Sequence, residues 1–192
     1  MCGRLDVKDH PLSVLVSEQL GLDFQVSTNR DLRPTQQVKV IASNDGHLYS
    51  RSTEWGIQPA WAKRILINAQ AESVMTKPTF KKAFAQSRCL VPCSGWYEWK
   101  TQEGATRKTK YRFSEANEQP LYMAGIYYPQ QDSSSQLVTL TTEPTKQCAE
   151  FHHRMPLLIR PSEIEFWLHS DTDALAPLLS APKDIELVVE AS

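Results

Sequence analysis

Cys89-Leu90-Val91-Pro92-Cys93-Ser94-Gly95-Trp96-Tyr97-Glu98-Trp99-Lys100 decides the fold. Its two apolar and aromatic halves, broken by Ser94-Gly95, read as two strands covering 89–93 and 96–100. Downstream, 111–113, 121–128 and 137–141 read as further strands. Upstream, 38–42 and 48–55 flank Asn44-Asp45-Gly46, whose Asn and Gly content suits a tight hairpin. Helices lie around this sheet. Asp9 and Pro11 start one, with Leu12, Leu15, Val16 and Leu20 at helical spacing until Gly21. Pro78, Phe80, Ala83 and Phe84 mark a second. Residues 143–151 and 162–168 look helical, and 174–179 more weakly so. Strands outnumber helices without βαβ alternation, so the expected fold is α+β, one mixed domain over 1–192 with a largely antiparallel sheet and peripheral helices. No internal repeat is present, and 132–136 is a polar loop.

The chain has 192 residues, 41% hydrophobic and 22% charged, enough for one compact core without metals or disulfides. No apolar run reaches the roughly 18 residues of a membrane span, and Met1–Pro11 lacks the apolar centre of a signal peptide. A cytoplasmic protein with reduced thiols is expected, with no membrane partner. A net charge of −1 exerts no global pull on nucleic acid, so DNA binding would need a local patch. Two stretches qualify: Lys77, Lys81, Lys82 and Arg88 on one expected helix, and Lys100, Arg107, Lys108, Lys110 and Arg112. Either could equally be a solvated face. Phosphate loops, G-x-S-x-G elbows and H-E-x-x-H motifs are absent from the sequence.

Cys2 follows the initiator methionine. Once Met1 is excised, it carries a free α-amine and a thiol on one skeleton, with reference pKa values of about 7.7–8.0 and 8.5. Such a 1,2-aminothiol condenses with an aldehyde to an imine and closes to a durable thiazolidine. On position alone, Cys2 could also be merely a small residue at a chain end. Cys89 and Cys93, on one strand, would stand about 13 Å apart at roughly 3.3 Å per residue, which suits core packing better than zinc. Cys148 reads as a packed thiol. His152 and His153 beside Arg154 are candidate proton shuttles or exposed side chains. Glu98 shares a strand face with Trp96, where desolvation would raise its pKa toward a general acid's range, unless the carboxylate points to water. Asn68 ends an apolar stretch and could orient a substrate or form a turn.

Taken in order, Met1-Cys2-Gly3-Arg4, Trp55-Gly56 with Pro59 and Trp61, Ile67-Asn68-Ala69 with Glu72, Gly95-Trp96-Tyr97-Glu98-Trp99 and His152 with Arg154-Met155-Pro156 resemble the SOS response-associated peptidase family of abasic site processing proteins. The resemblance covers residues 2 to about 168. It implies a mixed α/β domain with a positive groove for single-stranded DNA, a covalent protein–DNA linkage and no cofactor or metal. By this likeness Cys2 crosslinks, Asn68 orients the substrate or the Cys2 amine, Glu98 is the acid/base, and His152 promotes opening of the abasic sugar. Arg4 and Thr141 match positions on the DNA backbone, and Trp61, Lys77 and Arg154 complete the expected DNA contacts. The family name reflects a proposed autoproteolysis that removes what precedes the cysteine. Three departures bear on DNA affinity: Asp31-Leu32-Arg33-Pro34 stands where the family often has Asn-x-x-Pro, Gln70 stands where it has Arg, and the chain ends at Ser192, ahead of a basic segment in longer relatives.

The expected activity is therefore DNA repair by crosslinking abasic single-stranded DNA, lyase-like and with an associated autopeptidase (hydrolase) step. A monomer is expected. The alternatives are a cysteine-dependent peptidase acting on other proteins, with His152 as base, and a non-catalytic single-stranded DNA binder stacking bases on residues such as Trp61.

Overall fold

The computed structural model describes residues 3–102, 104 and 106–192. A short buried strand, β1 (Leu5–Val7), leads into α1 (Asp9–Leu20), which turns Leu12 and Val16 inward at i, i+4 spacing. After β2 (Asn29–Leu32) come β3 (Gln37–Asn44) and β4 (His47–Trp55). Their connection has positive φ at both Asp45 (49°) and Gly46 (79°), the backbone a two-residue primed turn demands and Gly adopts at little cost. β5 (Asn68–Gln70) and a helical turn at 71–73 precede α2 (Pro78–Gln86). The middle of the chain is sheet: β6 (Arg88–Cys93), β7 (Gly95–Thr101), β8 (Lys108–Glu115), β9 (Leu121–Pro129) and β10 (Ser135–Thr142). The short elements α3 (Lys146–Ala149), β11 (Met155–Pro156), β12 (Leu158–Ile159) and α4 (Ile164–His169) follow, and β13 (Leu187–Ala191) ends the chain.

Two sheets result. The first is antiparallel throughout, in the order β13-β8-β7-β1-β2. In the second, β10 pairs with β9 on one side and β4 on the other, so that β4, β3, β6, β9 and β10 close into a ring. The ring closes on short contacts, β10 meeting β4 at Glu54 and Trp55 and β3 meeting β6 at Ile41, and it covers part of each strand's edge. Only the β10 pairings with β4 and β5 are parallel among the described strands, so the largely antiparallel α+β expectation holds.

Large rings fill the interior. Trp96 stacks on Phe113 with centroids 4.8 Å apart, and the buried indoles of Trp55 and Trp167 donate to Ile67 O and Cys89 O. A Cβ on Gly95 would lie 2.3 Å from the Phe113 carbonyl oxygen, so glycine permits the close approach of β7 to β8. Asp6 is wholly buried and takes Arg112 Nε at 2.5 Å and Arg30 Nε at 3.1 Å. The remaining Arg112 donors reach Ser114 Oγ and Ser94 O, so one charge network ties β1, β2, β8 and the link between β6 and β7 together.

Several local expectations are corrected. The helix expected over 143–151 is the single turn α3, started by Thr145, whose hydroxyl accepts from Cys148 N–H, and ended where the chain turns toward β11. Residues 161–163 form a tighter helical turn before α4, and 172–178 do the same around Pro177, which has no N–H to give a regular helix. Arg88, grouped with a basic helix, instead opens β6 and donates to Trp167 O, Phe84 O and Ser170 O. With Arg112 in the Asp6 network, both residues serve packing rather than a basic surface. Cys89, Cys93 and Cys148 are buried, and burial raises all three thiols, those of Cys89 and Cys93 most.

Candidate active site

Strand alternation places Trp96 and Glu98 on one face of β7, and Tyr97 and Trp99 on the other. Glu98 is only 5% exposed, and desolvation by burial pushes its carboxyl up to about 7, as its position beside Trp96 suggests. At that value both protonation states are populated near neutral pH. β1 runs antiparallel to β7, with Leu5 opposite Trp96, and Tyr97 N–H donates to Arg4 O at 3.0 Å. Arg4, just ahead of β1, thus lies along β7 beside Tyr97, one residue from Glu98. Cys2 itself lies outside the described residues.

His152 is brought to the same region by its neighbour Phe151. Its backbone N–H donates to Cys148 O, ending α3, and the preceding Phe151 packs edge-on against Tyr111 at 4.8 Å and Phe113 at 5.1 Å. Tyr111 is the register partner of Glu98. His152 Nδ1 lies 3.0 Å from the Arg154 nitrogen and 3.1 Å from its carbonyl oxygen, so the Arg154 backbone fixes the ring through that atom. Partial burial lowers the His152 pKa, so the neutral ring prevails at pH near 7. His153, stacked on it at 4.3 Å, is exposed.

The far half of β10 organises the rest. β5 pairs along one side, placing Asn68 beside Thr139, and β11 pairs along the other, through Thr141 and Thr142. Thr139 Oγ1 donates to Asn68 Oδ1 at 2.5 Å, fixing the orientation of that amide. Arg154 spans β10, donating to both Glu72 oxygens (3.0 and 2.7 Å) and to Thr141 O (2.7 Å). This bidentate fork fastens the His152 segment to the strand that carries Asn68.

Not every expected contact residue faces outward. The Thr141 side chain is 2% exposed and its hydroxyl donates to Ala69 O, which puts it out of reach of a DNA backbone. Its carbonyl instead holds Arg154. Trp61 is 68% exposed in a loop closed by the paired Ile57 and Leu66 and leading straight into Asn68. Lys77 is exposed at the start of α2. Arg4 lies over Trp99 at 5.4 Å and donates to Asp31 at 2.6 Å. The sequence names Asp31, Lys110 and Glu72 but does not pair them with Arg4 or Arg154. The Arg4–Asp31, Lys110–Asp31 and Arg154–Glu72 contacts join residues far apart in the chain, and no spacing rule exposes them.

A family model described as SOS response associated peptidase (SRAP) matches residues 1–191. The abasic site processing protein YoqW of Bacillus subtilis is 28% identical over 196 residues, spanning 93% of this chain and 86% of the relative. YedK of Escherichia coli, named in the same way, is 26% identical over 181 residues, spanning 89% and 81%. Among solved structures, a phage-related protein from Bordetella bronchiseptica superposes with a TM-score of 0.81 at 21% identity, covering 100% of this chain and 94% of that one. A protein from Bacteroides thetaiotaomicron gives 0.76 at 20% identity, covering 98% and 90%. These structures share the fold, and the family match runs through both sheets and every element that carries Asn68, Glu98, His152 and Arg154. The chain belongs to the SOS response associated peptidase family.

Proposed function

We propose that this chain processes abasic sites in single-stranded DNA by forming a thiazolidine between Cys2 and the opened sugar. The observation that carries the reading is Glu98, a buried carboxyl held near 7 on the strand alongside the one that leads to the amino terminus. Relatives named abasic site processing proteins support the substrate class. Hydrolysis of the Met1–Cys2 amide, consuming one water, frees the amine, and self-catalysed removal is the associated peptidase step. The amine adds to C1′ of the ring-opened sugar, and the carbinolamine loses water to give an imine. The Cys2 thiolate then adds to the same carbon, closing a five-membered ring with net release of one water.

Each side chain has a role matched to its chemistry. Glu98 delivers and recovers protons at the carbinolamine, and the neutral His152 assists opening of the closed hemiacetal. Asn68 orients the amine or sugar through an amide already fixed by Thr139. Arg4, Lys77 and the exposed ring of Trp61 hold the strand by charge and stacking, while Arg154, expected as a DNA contact, acts through its ion pair with Glu72 by fixing the His152 segment. Intact-protein mass after mixing with an abasic oligonucleotide tests this. The expected product is protein lacking Met1 plus oligonucleotide minus one water, and Cys2→Ser should give no heat-stable adduct. A heat-stable adduct on Cys2→Ser, or an active protein that retains Met1, would refute the thiazolidine.

A further inference from the structure

We infer that Arg4, Arg33 and Lys110 form a phosphodiester-binding cradle for the single strand, and that Asp31 occupies it as a built-in competitor that sets how tightly DNA is held. The inference rests on the DNA-binding reading proposed above. Asp31 Oδ1 takes Arg4 Nη1 at 2.6 Å and lies 3.5 Å from Lys110 Nζ, while Oδ2 takes Arg33 Nε at 3.0 Å and Nη2 at 2.5 Å. Three cations thus converge on one carboxylate, leaving an excess of positive charge. A phosphodiester carries the same single charge on two oxygens and fits the same guanidinium forks.

The cradle is held in place before any ligand arrives. Lys110 Nζ lies 3.7 Å from the centroid of Tyr97, and the Arg4 guanidinium 5.4 Å from that of Trp99, so aromatic faces on β7 fix both cations. Trp99 and Lys110 are register partners, one step along the ladder from Glu98. The cradle therefore adjoins the acid/base on the opposite face of the same strand. The Asp31 side chain is 39% exposed, which leaves it open to exchange with an incoming anion. Hydrogen bonds from Arg33 and Arg4 hold its carboxyl well below the usual range, so it stays charged at working pH. Arg30, nearby in sequence, is paired with Asp6 instead.

Fluorescence anisotropy with an intact, non-abasic single-stranded oligonucleotide across a salt series tests the inference. Asp31→Asn should bind about 3- to 10-fold tighter at low salt, with log Kd against log salt steeper by about 0.7 for each extra phosphate engaged. Asp31→Glu, which keeps the charge, should behave like the wild type. Arg33→Ala should bind more weakly with a shallower slope, and it decides the matter if Asp31→Asn melts too early to assay. Equal affinity and slope for Asp31→Asn and wild type, or an unchanged slope for Arg33→Ala, overturns the cradle. Abasic adduct yield in the same proteins separates the two readings. With adduct intact and salt behaviour unchanged, the cradle alone fails. With no adduct in the wild type, the proposed function fails.

Discussion

Glu98→Gln removes a charge that the fold keeps out of water, and its effect on stability should depend on pH in a defined direction. In the folded protein the carboxyl sits at about 7, raised from 4.5 mainly by desolvation. A raised carboxyl binds its proton more tightly when folded. Below about pH 4.5 both folded and unfolded forms are protonated and the site costs nothing, and stability then falls as pH rises, until the penalty is complete above about 7. At about 1.4 kcal/mol per unit, that penalty is about 3.5 kcal/mol. The neutral amide avoids it, so near pH 8 Glu98→Gln should be up to about 3.5 kcal/mol more stable than wild type, with a Tm gap of about 7–14 °C for a chain of this size. Near pH 4 the gap should vanish. Urea midpoints and thermal melts across that range measure it, while single-turnover crosslinking by the same variant should slow about 10²- to 10⁴-fold. Parallel stability curves for the two proteins would refute the desolvation argument, since a solvated or fully charge-compensated Glu98 would show no pH-dependent gap.

Two further outcomes are expected. His152→Ala should slow adduct formation about 10²- to 10⁴-fold and remove from the acid limb of the pH–rate profile the contribution of the ring, whose pKa burial lowers, leaving that of the Cys2 amine. Equal single-turnover rates at every pH would leave His152 a packing role only. Asp6→Asn leaves Arg112, itself 8% exposed, with only the exposed Glu190 carboxylate 3.9 Å away and should cost about 3–5 kcal/mol in urea unfolding. A loss below about 1 kcal/mol would mean that Ser94, Ser114 and Glu190 suffice to hold Arg112 in the first sheet.

The central strands were legible because Trp96 to Trp99 and Leu121 to Tyr128 are dense in residues that suit buried pleats, and the Asn44-Asp45-Gly46 turn announces its own geometry. β1 and β2 were not, since Asp6 and Asp31 make those segments look like surface. Asp6 is buried only because Arg112 meets it from 106 positions away. Closure of the second sheet was hidden for a similar reason, resting on β10 pairing with both β4 and β9 across long separations. At the site, Glu98 was readable because its environment is set by its own strand neighbours. Thr141 was not, because whether its hydroxyl faces DNA or Ala69 depends on β5 lying alongside. The basic clusters misled for the same reason, since counting Arg88 and Arg112 as surface cations ignores the carbonyls and the carboxylate that claim them.

β1 is an inner strand, clamped between β2 and β7 and riveted by the Asp6 network. Each added residue would advance the upstream chain by about 3.3 Å and reverse the side on which side chains emerge. Under the function proposed above, the length of chain between Cys2 and Leu5 is therefore a structural dimension of the molecule. Variation in length should accumulate in turns such as 131–134 and be purged between Cys2 and β1. An affinity tag joined to Cys2 would, by the same proposed chemistry, tie up its amine.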